Sequence, residues 1–503
     1  MSTATVKRNT IFAYGGLATP LAMIGYPIAI WLIPFYSEVV GIPLYIIANL
    51  LLIARFTDVI TDPILGQLGD STRTSIGRRK PWIILGVPLM MLAIYKLFIP
   101  GTEVSIAYFV VWMMLMYLGS TIISIPYGAW GAEISPDYHQ RSRVVGGREG
   151  WTLIGLLISA LIPLAIEVSG QGISFIDSIK RMLAAIFVFQ DFSTSGKMAD
   201  ILASMGIGII FLLPIFAAWA LWKVPDPMPK VEKKIPLFEG LKYAAENPLL
   251  VRILLIIFLV IAGESFRNTL SLWFVRDVIG IETVGASYAR YFIAGLLGIP
   301  FWLWLGKTLG KHRAFCITLI GTGSVSFLCF FLERGDFTEF HILFLLKGFC
   351  FGGLQFLPAS MLADVVDLDS LKTGGRRAGT FFALNGMIAK VSAMIAVWAA
   401  AILVDFSGFI PGTNNSDEAM LALRIYYCLG CAAFFVPAFF LTWFYPLTKE
   451  KHQERPKTQP MEQPRNNSKG SQGSKPKSNP MGTLHSIHVR FSLEKPMVCQ
   501  KEL

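Results

Sequence analysis

Apolar runs long enough to cross a bilayer recur about twelve times along this chain, and no other feature constrains its fold as strongly. The first six lie near residues 11–36, 43–67, 82–100, 105–128, 148–168 and 201–222. The second six lie near 248–275, 285–306, 313–332, 338–363, 377–404 and 420–446. Hydrocarbon offers the backbone no hydrogen-bond partners, so each run must satisfy its own N–H and C=O groups, and runs of this length exceed barrel strands. The expected fold is an all-α membrane protein with twelve transmembrane helices. Composition agrees: 54% of residues are hydrophobic and only 15% charged, against roughly 25% charged in a soluble chain. Lys7 and Arg8 precede a first run that is too long for a signal h-region and lacks a small-residue cleavage site, so that run is expected to be a retained span.

The charges between the runs set an orientation. Arg73, Arg78, Arg79 and Lys80 follow span two, and Arg141 and Arg143 follow span four. Lys223, Lys230, Lys233, Lys234 and Lys242 follow span six, Lys307, Lys311 and Arg313 span eight, and Lys372, Arg376 and Arg377 span ten. The opposite loops carry acids such as Glu38, Glu103, Asp336, Glu339, Asp417 and Glu418. The positive-inside rule places both termini in the cytoplasm of a cell-membrane protein. The same rule accounts for the net charge of +11, and no nucleic-acid partner is expected. Cys428 and Cys431 form a CxxC inside an apolar run, without a His cluster or second pair, and are expected to be small packing residues.

A polar stretch, VPDPMPKVEKK, divides the chain into a six-helix bundle at 1–222, a linker at 223–247 and a second bundle at 248–446. The halves echo each other: GQLGDSTRTSIGRRK after span two matches GKTLGKHR after span eight, and GAEISPDYHQRSR after span four matches LADVVDLDSLKTGGRR after span ten. Paired six-span bundles place a substrate site near the midplane between them. Residues 170–200 form an insertion on the far side, in which FIDSIKRMLAAIFVF is amphipathic and expected on the outer membrane surface. Residues 447–503, rich in Pro, Lys, Ser, Asn and Gln, are expected to be a disordered tail.

Ionisable groups inside a span cost roughly 2.5–3.5 kcal/mol each on insertion scales, so they need a reason. Span two carries Arg55, Asp58 and Asp62 at offsets of three and four, on one helical face. Two carboxylates one turn apart suit Na⁺ or a held proton, and Arg55 could neutralise one of them; a structural salt bridge is the alternative. Span seven carries Glu264 and Arg267, three residues apart and able to neutralise each other. Span eleven carries Lys390 without an acid in its own span, and the Asp58/Asp62 face is one candidate partner. Arg148 and Glu149 open span five, where an Arg could fork onto sugar hydroxyls or a carboxylate. Asp70, Arg78 and Arg79 sit at a helix end, where their expected role is to pin helix ends and bias the two access states.

These segments together resemble the glycoside–pentoside–hexuronide:cation symporters, the melibiose-permease-like branch of the major facilitator superfamily. The resemblance covers most of residues 8–446. It rests on ARFTDVITDPILGQLGDSTRTSIGRRKPWIILG, ISIPYGAWGAEIS, LADVVDLDSLK and the Lys in MIAKVSA. It implies two pseudo-symmetric six-helix bundles working by alternating access. It implies a cation site at Asp58, Asp62 and Thr121, with Lys390 beside it, and a sugar contact at Arg148. Three positions depart from the family prototype: Ser124 and Ala22 stand where it has acids, and Gly128 where it has a stacking Trp. The prototype's galactoside contacts are therefore not expected here.

The expected function is cation-coupled symport, by H⁺ or Na⁺, of a sugar, glycoside or hexuronide, with Arg148, Ser124, Glu264 and Arg267 as candidate substrate contacts. A metal ion enters only as coupling Na⁺ at Asp58 and Asp62, and no cofactor is expected. The alternatives are symport of a lysolipid or other amphiphile on the same fold, and a non-transporting membrane sensor. Expected partners are a carbohydrate-like small molecule and membrane lipids, with the chain a monomer. There is no P-loop, nucleophile elbow or metal-binding His cluster, and an enzyme is not expected.

Overall fold

The computed structural model describes residues 6–134, 138–169, 173–189, 191, 197–226, 246–373 and 378–446. Most of the linker (227–245), Arg376, Arg377 and the 447–503 tail lie outside the described residues, as does the side chain of Asp70.

Twelve helices are long and apolar enough to cross a membrane. Spans one to six are Arg8–Leu32, Leu44–Gly69, Lys80–Phe98, Ile106–Gly131, Gly146–Val168 and Met198–Lys223. Spans seven to twelve are Pro248–Ile279, Val284–Leu309, Lys311–Phe331, Phe337–Asp369, Ala383–Phe406 and Asp417–Trp443. The expected spans are thus present, with helix reaching a few residues past several apolar runs; the helix of span five begins at Tyr138, ahead of the expected 148. Prolines and glycines interrupt the geometry locally. After Pro27, span one continues as a π-helical turn, Ile28–Leu32. The helix of span twelve stops at Leu429 and resumes at Ala432, so the CxxC straddles a break; Cys428 and Cys431 are buried, unbridged thiols.

In lipid, helices associate through close packing more than through water exclusion, and small residues let backbones approach. Gly348 of span ten is an instance: a Cβ there would collide with the Tyr291 backbone of span eight. Spans eight and ten make the most extensive helix pairing in the molecule. Between the two halves, span two packs on span eleven, span five on span eight, and the π-helical turn of span one on span seven.

The end of the molecule where span one begins is called proximal here, and the opposite end distal. At the proximal end, ion pairs run within each half. Arg78 and Arg79 both reach Glu133 at the end of span four, at 2.5 and 2.6 Å. Lys311 pairs with Asp364 at 2.8 Å. The Arg79 and Lys80 amides donate to Asp226, at 2.7 and 3.2 Å, which caps span three. Gly77 makes that cap accessible: its φ is +121° and any Cβ would meet the Asp226 carboxylate.

At the distal end, bonds cross between halves. Glu38 accepts from Trp273 Nε1 at 2.8 Å and from the Arg276 guanidinium at 2.8 and 2.9 Å. Buried Glu167, near the end of span five, accepts the Gly285 amide of span eight at 2.9 and 3.1 Å. Trp398 Nε1 donates to Asn49 at 2.9 Å. The halves are tied where the loops carry few Lys or Arg.

Candidate functional site: two buried charge centres and a cavity

Span two turns Arg55, Asp58 and Asp62 toward spans four and eleven. Asp58 is buried and accepts the Thr121 hydroxyl at 3.0 Å. Lys390, from the other half, donates to both Asp62 oxygens at 2.7 and 2.8 Å, and its Nζ is 3.6 Å from Asp58 and 3.5 Å from Thr121. Arg55 completes the group, 3.4 Å from Asp58, with its guanidinium 4.0 Å from the Tyr117 ring centroid. Two carboxylates thus face two cations, one from the same helix and one from the opposite bundle. Among the described residues, no three His, Cys, Asp or Glu side chains gather as a metal cluster.

The second centre lies inside the later half. Arg267 is fully buried and its Nη2 donates to Glu264 Oε2 at 2.9 Å, the local neutralisation their spacing allows. The Tyr291 hydroxyl donates to the same oxygen at 3.5 Å. Arg267 also donates to Tyr427 and Asn268, at 3.3 and 3.0 Å. Lys347 of span ten joins this cluster; it is buried and donates to the Ser326 hydroxyl at 2.8 Å.

Beside this centre a cavity of ≈ 400 Å³ opens between the halves. Its walls come from spans one, five, seven, eight, ten and eleven. Glu264, Asn268, Tyr288, Gln355 and Asn385 give it polar points on an apolar wall. Glu264 Oε1 and Asn385 Oδ1 are buried without a hydrogen-bond partner among the described residues. A buried polar atom left unpaired costs about 1–3 kcal/mol, so these two acceptors, with the likewise unpaired Tyr26 and Tyr288 hydroxyls on the same wall, mark where polar groups of a guest would be favourable.

The other expected contacts fall elsewhere. Arg148 donates to Glu149 at 2.6 and 3.1 Å on span five, and Ser124 is half-buried one turn past Thr121 on span four; neither is among the cavity-lining residues. Arg78 and Arg79 hold the proximal turn described above. Lys347, Glu167 and the amides Asn268, Gln355 and Asn385 stand outside the residues expected from sequence. For Lys347 the signal was present: a lone Lys in FHILFLLKGFC is as costly as the one in MIAKVSA.

Residues 11–449 match the family model described as MFS/sugar transport protein. An uncharacterized symporter of Synechocystis sp. is 24% identical, over 90% of this chain and 97% of its own length. A glucuronide carrier protein homolog of Escherichia coli is 22% identical, over 85% and 90%. The sodium-dependent lysophosphatidylcholine symporter 1 of Xenopus tropicalis is also 22% identical, over 90% and 89%. Among solved structures, a bacterial homolog of the human lysosomal transporter Spinster superposes with a TM-score of 0.59 at 13% identity, covering 88% of this chain and 96% of its own. That likeness carries the fold.

Proposed function

The chain is a membrane transporter of the MFS/sugar transport protein family, and from that premise we propose that it couples uptake of a carbohydrate-like solute to a cation, H⁺ or Na⁺, by alternating access. One observation carries the reading: Lys390 of one half sits on Asp62 and beside Asp58 of the other. A bond between the halves is one that rocking of one half against the other can loosen or remake. A cation that takes the two carboxylates competes with Lys390 for them. Ion binding and bundle rearrangement therefore draw on the same bond, which is the linkage symport needs. Asp58, Asp62 and the Thr121 hydroxyl supply hard oxygens that suit Na⁺, and the carboxylates equally suit a proton.

Glu264 Oε1 and Asn385 Oδ1 are acceptors, which fits a hydroxyl-bearing guest such as a sugar or glycoside. Arg148 and Ser124 remain candidate contacts from the earlier half in another access state. The proximal end, rich in Lys and Arg, faces the cytoplasm of the cell membrane, and one chain suffices for the site. A second reading has its own support. The cavity wall is largely apolar, with Ile30, Leu156, Ile257, Val260, Phe292 and Phe351, and this favours a lysolipid or other amphiphile as cargo.

The test is uptake by purified protein in liposomes, against a panel of neutral glycosides, hexuronides and lysolipids, under imposed Na⁺ or H⁺ gradients. Gradient-driven accumulation of a glycoside or hexuronide supports the first reading. Accumulation of lysolipid alone supports the second, and no gradient effect on any solute rejects coupling.

A further inference from the structure

The chain between spans five and six belongs to the earlier half, yet its end is gripped by the later half. After span five, Ser174 caps a helix, Phe175–Phe187, by accepting the Asp177 amide at 3.1 Å. This insertion helix packs on spans five and eight. Ala185 and Ile186 are buried there. The Ala185 carbonyl accepts from Arg290, a residue six positions past the first of span eight and hence about 9 Å along its axis. Beyond the helix, Phe189 holds φ at +57°, uncommon for a bulky residue. Its ring lies 5.1 Å from the Arg290 guanidinium and stacks on His341 of span ten, 5.6 Å between centroids. Asp191 then accepts the amides of Glu282 and Thr283, at 3.0 and 2.8 Å, and the Thr283 hydroxyl. Glu167 takes the next free amide of the same turn, Gly285, whose missing side chain lets span eight meet the Leu164 backbone.

The helix has three faces. Ala185 and Ile186 meet protein, and Asp177, Lys180 and Arg181 share the polar side. Phe175, Ile176, Ile179, Leu183 and Phe187 form an exposed apolar arc; Phe175 is 79% and Phe187 68% exposed. Such an arc on a helix held against the ends of two membrane spans fits the boundary between headgroups and acyl chains, where apolar faces sink ~5–10 Å.

We infer that residues 173–189, with Asp191, are a clasp seated in the bilayer: acyl chains cover its apolar arc, and its far end holds the first turn of span eight against span five. Lipid is the ligand of the arc, and the distal closure of the transporter is tied to it. The inference needs only the closed distal end, not a particular cargo or coupling ion.

Two measurements on the full chain in phosphatidylcholine nanodiscs test it. In the first, nitroxide labels are placed at Ile179→Cys, Leu183→Cys and, as the polar-face control, Lys180→Cys, each on a Cys499→Ser background. Oxygen should relax the labels at 179 and 183 more than a water-soluble nickel chelate does, with the reverse at 180. Preference for nickel at all three sites would put the helix in water, and exclusion of both reagents from 179 and 183 would mean that protein covers the arc; either result overturns the inference. In the second, amide hydrogen exchange is followed across 281–286. Asp191→Asn should speed it about fivefold to thirtyfold, and Phe175→Ser with Ile179→Ser and Leu183→Ser should speed it in the same direction while the other spans stay protected. Wild-type exchange in the triple variant would show that the arc does not hold the clasp.

Discussion

The two buried charge centres look alike in residue type and differ in what they join. Asp58, Asp62, Arg55 and Lys390 form a balanced group split between the halves. Glu264, Arg267 and Lys347 lie within one half, and they hold more positive than negative charge. A group within one bundle moves as a body with it and can serve as fixed scaffolding: here it fastens Glu264 at the cavity wall. A group split across the halves is one that the proposed alternating access would break and remake in each cycle, so its energy would enter the conformational equilibrium. On the proposed mechanism, position relative to the boundary between the halves, more than the presence of charge, separates a coupling element from a structural one.

The largest expected effect is at the shared centre. Asp58→Asn and Asp62→Asn should each abolish concentrative uptake while expression is retained, measured as the accumulation ratio in vesicles. Lys390→Ala should uncouple or cripple transport, and wild-type kinetics in that variant would make the residue structural and erase the contrast. Next comes the scaffold. Arg267→Ala removes the guanidinium bonded to Glu264 Oε2, leaves Lys347 as the nearby counter-charge among the described residues and opens a cavity in a buried cluster; it should destabilise the fold by ~3–5 kcal/mol, seen as a lower unfolding midpoint in detergent and a poorer yield. Glu264→Gln keeps the shape but leaves buried Arg267 and Lys347 without their carboxylate, so the unfolding midpoint should fall as well; it should weaken solute affinity about tenfold, or ~1.4 kcal/mol, with the gradient dependence intact. A loss of coupling in Glu264→Gln would merge the two centres into one. The smallest change is expected for Lys347→Met. One cation too many in a dry cluster is replaced by an apolar chain of similar length, so the unfolding midpoint should hold or rise slightly.

Much of this arrangement is legible from residues alone. The spans follow from run length, because hydrocarbon leaves the backbone no alternative to helix. The face shared by Arg55, Asp58 and Asp62 follows from offsets of three and four, since both lie on one helix. What lies between helices is less legible. Lys390 has several acids within the chain that could serve it, and only packing of span eleven on span two selects Asp62. Arg148 is adjacent to Glu149 in sequence, and in this access state it pairs with that neighbour and not with the cavity. Glu167 reads as an ordinary charge near a span end, yet it is buried because Gly285 brings another helix onto it. The cavity amides Asn268, Gln355 and Asn385 carry no charge to flag them, although polar side chains in apolar runs are themselves a signal.

The measurement closest to the central claim compares two modes of transport in the same liposomes. Wild-type protein and Asp62→Asn would each be assayed for solute exchange at equal concentrations and for accumulation under an imposed Na⁺ or H⁺ gradient. If the bond between Asp62 and Lys390 links ion to conformation, the variant will exchange solute yet reach no internal excess over the outside. Accumulation by Asp62→Asn to the wild-type ratio would contradict the account.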